Sequence, residues 1–227
     1  MADPYKLLID SNIVSCLEPI EEQANKDEPK KMYVQGIFGQ AGKRNKNGRI
    51  YDPNEMQEDI RRFNEEFVKT KRALNELNHP STPDINLERA CDMTVELHME
   101  SNGNVIGKAL VLDTPVGKVE RALIDGGVKL GKSSRALGQL SEKSVNGEAG
   151  NYVSGLRLVC FDSVQDPSVG VALVDPLLEQ REWIMGDDGE FMVKPFENLV
   201  EQVSTLPKHN REEYFVECFN KFMKAIK

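Results

Sequence analysis

Long apolar runs, a basic excess and paired cysteines are all missing from this 227-residue sequence, and each absence removes a class of function. No stretch approaches the roughly 20 apolar residues of a membrane span, and the N-terminus lacks the apolar core of a secretion signal, so no membrane partner is expected. Acidic side chains outnumber basic ones by 37 to 29, for a net charge of −8. Nucleic acid is therefore not expected as a partner, because phosphate contacts need a basic face. The four cysteines, Cys16, Cys91, Cys160 and Cys218, form no C-x-x-C pair. They read as reduced thiols, and they indicate neither a zinc knuckle nor a disulfide framework. Histidine occurs only at His79, His98 and His209, without H-E-x-x-H or comparable spacing, so no metal site is expected. Gly36, Gly39 and Gly42 cluster, yet they make neither G-x-G-x-x-G nor a Walker loop. No cofactor is therefore expected. A G-x-S-x-G elbow is also missing, which disfavours an esterase of that type.

What is present reads as an α+β chain long enough for one large domain or two small ones. Residues 1–31 have a short apolar start, Tyr5 to Ile9, followed by a run too polar to bury much, and are expected to be a flexible N-terminal segment. Met32 to Phe38 predicts a strand, and the basic turn Gly42 to Gly48 a solvated loop. Asp52-Pro53 predicts a capped helix start, with Met56, Ile60, Phe63 and Phe67 as its apolar stripe. Cys91–Met99 and Asn104–Leu112 predict a hairpin across Ser101-Asn102-Gly103. The even spacing of Asp92, Glu96 and Glu100 reads as one solvated strand face. Thr114-Pro115 predicts a second helix, with Val119, Leu123 and Ile124 as its stripe and Gly126-Gly127 as its end. Tyr152 to Phe161 predicts a further strand. Residues 32–176 thus form the expected central domain, an antiparallel sheet or barrel with inserted helices. Residues 177–227 carry two helical patterns, 196–206 and 212–226, and are expected to be a partly mobile helical extension.

Three distant segments hold side chains of complementary chemistry. Gly131-Lys132-Ser133-Ser134-Arg135-Ala136-Leu137-Gly138 sets two serines between glycines. Glu76-Leu77-Asn78-His79-Pro80 sets a histidine in a proline-limited loop, and Asp162-Ser163-Val164-Gln165-Asp166-Pro167-Ser168 offers two carboxylates. A hydroxyl, an imidazole and a carboxylate are the parts of a nucleophile–base–orienter triad. Taken singly, each segment reads equally well as a polar turn, a packing histidine and an Asx turn.

Together with "NKNGRIY" at 45–51, "LNELNHP" at 74–80, "INLERACD" at 85–92 and "VIGKALVLDTPVGK" at 105–118, "GKSSRALG" and "FDSVQDPS" occur in an order and spacing that resembles the prohead core proteases of T4-like tailed bacteriophages. The resemblance spans roughly residues 32–176. It implies a serine endopeptidase that acts inside the prohead in the host cytoplasm, as a homo-oligomer. Its implied substrates are the scaffold or core proteins, the major capsid protein and the protease itself. It also implies a small β-barrel surrounded by helices, similar to herpesvirus assemblins. By the same resemblance Ser133 is the nucleophile, His79 the base and Asp162, in preference to Asp166, the third member. Arg135, or backbone N–H groups near it, would stabilise the oxyanion, with Ser134 as a neighbouring hydrogen-bond donor. The chain departs from the usual pattern at Lys132, where a small apolar residue is common, and at Ala136. An aliphatic residue, any residue, then Glu is the implied cleavage preference, and Leu177-Leu178-Glu179 and Leu199-Val200-Glu201 fit it. The rival reading is an inactive structural or scaffold-interacting protein of the prohead interior, which the acidic balance and helical tail would suit.

Overall fold

A computed structural model describes residues 5–10, 17–23, 30–80, 82–145, 148–165, 182–185 and 191–193. The chain divides into two units, Met1–Glu182 and Trp183–Lys227. Two sheets make up the first unit. One has the order β1 (Tyr5–Asp10), β8 (Gly131–Val145), β9 (Glu148–Val164), β4 (Arg49–Tyr51). The other has the order β2 (Glu18–Glu22), β3 (Lys31–Gln40), β7 (Asn104–Val111), β6 (Ala90–Met99), β5 (Leu74–Glu76). The pairings are antiparallel except β4 on β9.

The long β8–β9 hairpin is the spine of the first sheet. Its register runs from Gly131↔Val164 to Val145↔Glu148, with shifts next to Ala136 and Gln139. The sheets meet where Leu77, just past β5, bridges Ser163 of β9 in parallel. Among the described residues no closed barrel forms, so the barrel surrounded by helices gives way to two joined sheets with few helices.

Helix α1 (Pro53–Phe63) begins where expected: the Asp52 carboxylate accepts from the N–H groups of Asn54 and Glu55, and Pro53 opens the first turn. Met56, Ile60 and Phe63 are buried, and a π-helical turn, Asn64–Val68, continues the element. Phe161 of β9 lies 5.5 Å from the Phe38 ring and 5.9 Å, edge-on, from the Phe63 ring, and so joins α1 to both sheets. The β6–β7 turn needs glycine at Gly103, where φ is +86° and a Cβ would collide with the Ala41 carbonyl oxygen.

Three expectations are corrected. The N-terminal segment is not a free tail. Leu7, Leu8 and Ile9 are fully buried and β1 pairs with β8 from Lys6↔Gly138 to Asp10↔Ser134, because even a short apolar run can fill one flank of a long strand. Helix α2 (Pro115–Asp125) starts at Thr114 as expected, but Val119 is 50% exposed while Glu120 is buried. The carboxylate has partners inside that a valine would not satisfy. Asp92 is buried and Glu96 exposed, because the register shift between Thr94 and Glu96 breaks the alternation on which the single solvated face rested.

From Trp183 on, the described residues belong to a hairpin of β10 (Glu182–Met185) with β11 (Phe191–Val193), paired from Trp183↔Val193 to Met185↔Phe191. The expected C-terminal helices lie outside the described residues. No described helix is long and apolar enough to cross a membrane.

Phe161→Ala is expected to cost about 3–5 kcal/mol by opening the core beside two aromatic rings. Val119→Ala should stay within about 0.5 kcal/mol. Urea unfolding of the two variants checks the contrast.

Candidate active site

Backbone pairing brings the three sequence segments together. Ser133 of β8 stands directly opposite Asp162 of β9, so their side chains share one face of the sheet. The histidine loop is fastened to the same strand. The Glu76 N–H donates to Asp162 Oδ1 at 3.0 Å, and the Asn78 N–H donates to the Ser163 carbonyl at 2.9 Å. Asn78 turns the chain at φ +64°, a conformation asparagine tolerates better than most residues. His79 follows, and its Nδ1 lies 2.8 Å from Asp162 Oδ2.

Both partners are enclosed: the His79 side chain is 6% exposed and the Asp162 side chain 0%. Burial pushes the Asp162 carboxyl up. The His79 hydrogen bond, the Arg135 charge and the Glu76 N–H outweigh it and hold the group below its ordinary value. An ionised Asp162 is acceptor-only, so Nδ1 carries the proton and donates. The lone pair is then on Nε2, which is buried and has no hydrogen-bond partner among the described residues.

Ser134 faces the other way, its Oγ donating to the Asp10 carbonyl at 3.3 Å. Asp10 is itself buried, paired with Arg49 Nη1 at 2.9 Å and accepting from Asn47 Nδ2 and Tyr51 Oη. Asp166 lies outside the described residues, as does His209, and His98 is an exposed residue of β6.

The Arg135 guanidinium does not reach outward to an oxyanion. It is fully buried and all of its N–H groups are taken. Nε meets Cys160 Sγ at 3.2 Å. One terminal nitrogen donates to the carbonyls of Thr82 at 2.7 Å and Asp84 at 3.0 Å. The other donates to Glu76 Oε1 at 3.1 Å and Asp162 Oδ1 at 3.2 Å. The guanidinium half of the oxyanion expectation is therefore corrected by hydrogen-bond saturation. Glu76 is engaged on its far side too, by Arg89 Nε at 3.0 Å and the Asn86 N–H at 2.9 Å. Reading the sequence missed Glu76 and Arg89. Their one visible signal was a set of charges flanking a histidine loop.

A second polar cluster occupies the opposite face of the same ladder, where Lys132 pairs with Ser163. The Lys132 ammonium donates to Asp92 Oδ2 and, at 2.9 Å, to Ser163 Oγ. Ser163 Oγ also lies 2.9 Å from Asp92 Oδ2 and 2.6 Å from Glu120 Oε1. Burial pulls the lysine down, but Asp92 and Glu120 outweigh it and keep it charged. Burial first, then Asp92, pushes the Glu120 carboxyl up to about 7. Cys91, Asp92 and Glu120 come close enough to hold a metal ion. A buried ammonium already neutralises that site, and burial raises the Cys91 thiol and so keeps its proton.

Comparison with known proteins bears on the chain as a whole. A family model described as "Prohead core protein serine protease" matches residues 2–182. The chain is 32% identical over 169 residues to the "Prohead core protein protease" of Enterobacteria phage T4, covering 72% of this chain and 78% of that protein. The solved structure of the bacteriophage T4 capsid assembly protease, gp21, superposes with a TM-score of 0.63 at 29% identity, covering 72% of this chain and 99% of that one.

Glu120 makes stability pH-dependent in a defined direction. Its folded value lies above its ordinary value of 4.5, so its contribution is full below that pH and is lost as pH rises through about 7. Wild type is expected to lose stability between pH 5 and 8, and Glu120→Gln, which cannot ionise, should flatten that slope. Lys132→Met should cost on the order of 3–5 kcal/mol by leaving Asp92 buried and unpaired. Thermal unfolding across the pH range measures both.

Proposed function

The chain belongs to the prohead core protein serine proteases, a peptidase family of phage capsid assembly, and on that premise we propose that Ser133, His79 and Asp162 are its catalytic triad. One observation carries the proposal. Asp162 holds His79 through Nδ1 at 2.8 Å and leaves Nε2 without a hydrogen-bond partner among the described residues, and Ser133 stands opposite Asp162 on the same sheet face.

In this reading, Nε2 takes the Ser133 hydroxyl proton as Oγ attacks the scissile carbonyl. Asp162 keeps the tautomer and stabilises the imidazolium that forms. The imidazolium then protonates the leaving amine, and a water, activated by the same Nε2, releases the acyl group. The oxyanion needs a donor other than the Arg135 guanidinium, and backbone N–H groups near Ser133 are the assignment. Because Ser134 turns to the opposite face and bonds to Asp10, it has a structural part.

The T4 relative is a prohead core protein protease by name, which supports the scaffold or core proteins and the major capsid protein as substrates here, with cleavage inside the prohead in the host cytoplasm. Self-cleavage belongs to the same proposal.

Ser133→Ala is expected to abolish scaffold cleavage in a folded protein, a loss of at least about 1000-fold. Ser134→Ala should keep measurable activity. EDTA should leave cleavage unchanged, because the one metal-like cluster among the described residues holds its own ammonium. Zinc-restorable loss after EDTA would sink the serine mechanism.

The sequence preference Leu-Leu-Glu assigns the Glu179–Gln180 bond, outside the described residues, as a self-cleavage site. Mass spectrometry of aged active protein should find that bond cut. It should stay intact in Ser133→Ala.

A further inference from the structure

We infer that Arg135 is a positioning residue: its guanidinium is the internal template around which the His79 loop is wrapped, and it holds the His79–Asp162 pair in working geometry. The inference rests on the triad reading and extends it to a residue that need not touch substrate.

A guanidinium offers five N–H groups in a rigid plane, and in this chain every one meets an acceptor inside the protein. Three of those acceptors lie from the last residue of β5 up to the 3-10 turn Leu87–Arg89: the Glu76 carboxylate and the carbonyls of Thr82 and Asp84. His79 lies inside that segment. The other two acceptors, Cys160 and Asp162, stand on β9. One planar group therefore ties both ends of the histidine loop to the strand that carries the carboxylate.

The loop has few other anchors. Leu77 and Asn78 are held by Ser163, and Arg89 reaches back to Glu76 and to the Leu77 carbonyl at 3.1 Å. Beyond Asn78 the described hydrogen bonds that cross from the loop to β8 or β9 are the His79–Asp162 contact and the two carbonyls on Arg135. Lysine at this position would keep the charge but not the planar fork, so charge and geometry can be separated.

The groups facing Asp162 are His79 from the loop, Arg135 from β8, Cys160 from its own strand and the Glu76 N–H from β5. Glu76 and Arg89 stand one contact further out. Removing the Arg135 charge while Glu76 stays favours the protonated form of the His79–Asp162 pair, which moves the acid limb of activity to higher pH.

The test uses the full chain and a fluorophosphonate probe, whose reaction with the serine needs no knowledge of the natural substrate. Maximal labelling rate and probe affinity are measured against pH for wild type, Ser133→Ala, Arg135→Lys and Arg135→Ala, with circular dichroism as the folding check. The low-field proton resonance of the His79 Nδ1–H is followed in parallel. Arg135→Lys is expected to lose or broaden that resonance and to label about 100-fold more slowly, with probe affinity nearly unchanged and the acid limb in place. Arg135→Ala should show the same loss, an acid limb at higher pH, and partial recovery with added guanidinium ion but not with sodium ion. If Arg135→Ala does not fold, Arg135→Lys decides alone. Arg135→Lys that keeps the resonance and labels within about threefold of wild type overturns the inference. Labelling that persists in Ser133→Ala instead overturns the triad, and the resonance alone then decides the role of Arg135.

Discussion

The register of the β8–β9 ladder is the constraint on which the site depends. Ser133 opposite Asp162 and Lys132 opposite Ser163 are adjacent rungs, and their side chains point to opposite faces. A slip of one residue would exchange the faces, carrying the hydroxyl into the Lys132 cluster and the ammonium toward the histidine. The hydrophobic pattern guards against that slip. Leu8, Ala136, Leu158 and Phe161 must all meet the core, with Phe161 held among the Phe38 and Phe63 rings.

Both faces of the ladder carry buried charge, and each charge is compensated locally. Asp162, Glu76 and Arg135 balance on one side, with Arg89 reaching Glu76 from the rim. On the other side Lys132 balances Asp92, while Glu120, with its raised proton affinity, avoids a second full charge near neutral pH. Such networks need not add much net stability, because desolvation offsets attraction. Their effect is positional: removing one member leaves another uncompensated in a low-dielectric interior, so the arrangement tolerates little drift.

That economy links fold to chemistry. The His79 imidazole is held by a carboxylate, the carboxylate by a guanidinium and a backbone N–H, and the guanidinium by the loop that carries the histidine. The ring closes on itself and gives His79 a fixed orientation, which in the proposed mechanism would lower the reorganisation demanded at the moment of reaction. On the reverse face the Lys132 cluster connects α2 and β6 to the same two strands, and so stiffens them from behind.

Much of this was legible in the residues themselves. The helix starts at Asp52-Pro53 and Thr114-Pro115 and the β6–β7 hairpin follow from local chemistry, caps and a turn glycine, whereas the segments of Ser133, His79 and Asp162 gained meaning only from their order and spacing. Local chemistry acts over a few residues, and sequence order shows it directly. The inward turn of Arg135, the burial of Glu76, Asp92 and Glu120, and the pairing of β1 into the first sheet were not legible. A charged side chain looks solvated until the fold brings its partner, and those partners stand 27 residues away for Arg135–Asp162, 40 for Asp92–Lys132 and 43 for Glu120–Ser163. Local sequence thus determined which groups were available, and tertiary structure decided which of them face each other, because only long-range strand pairing can give a buried charge its counterion.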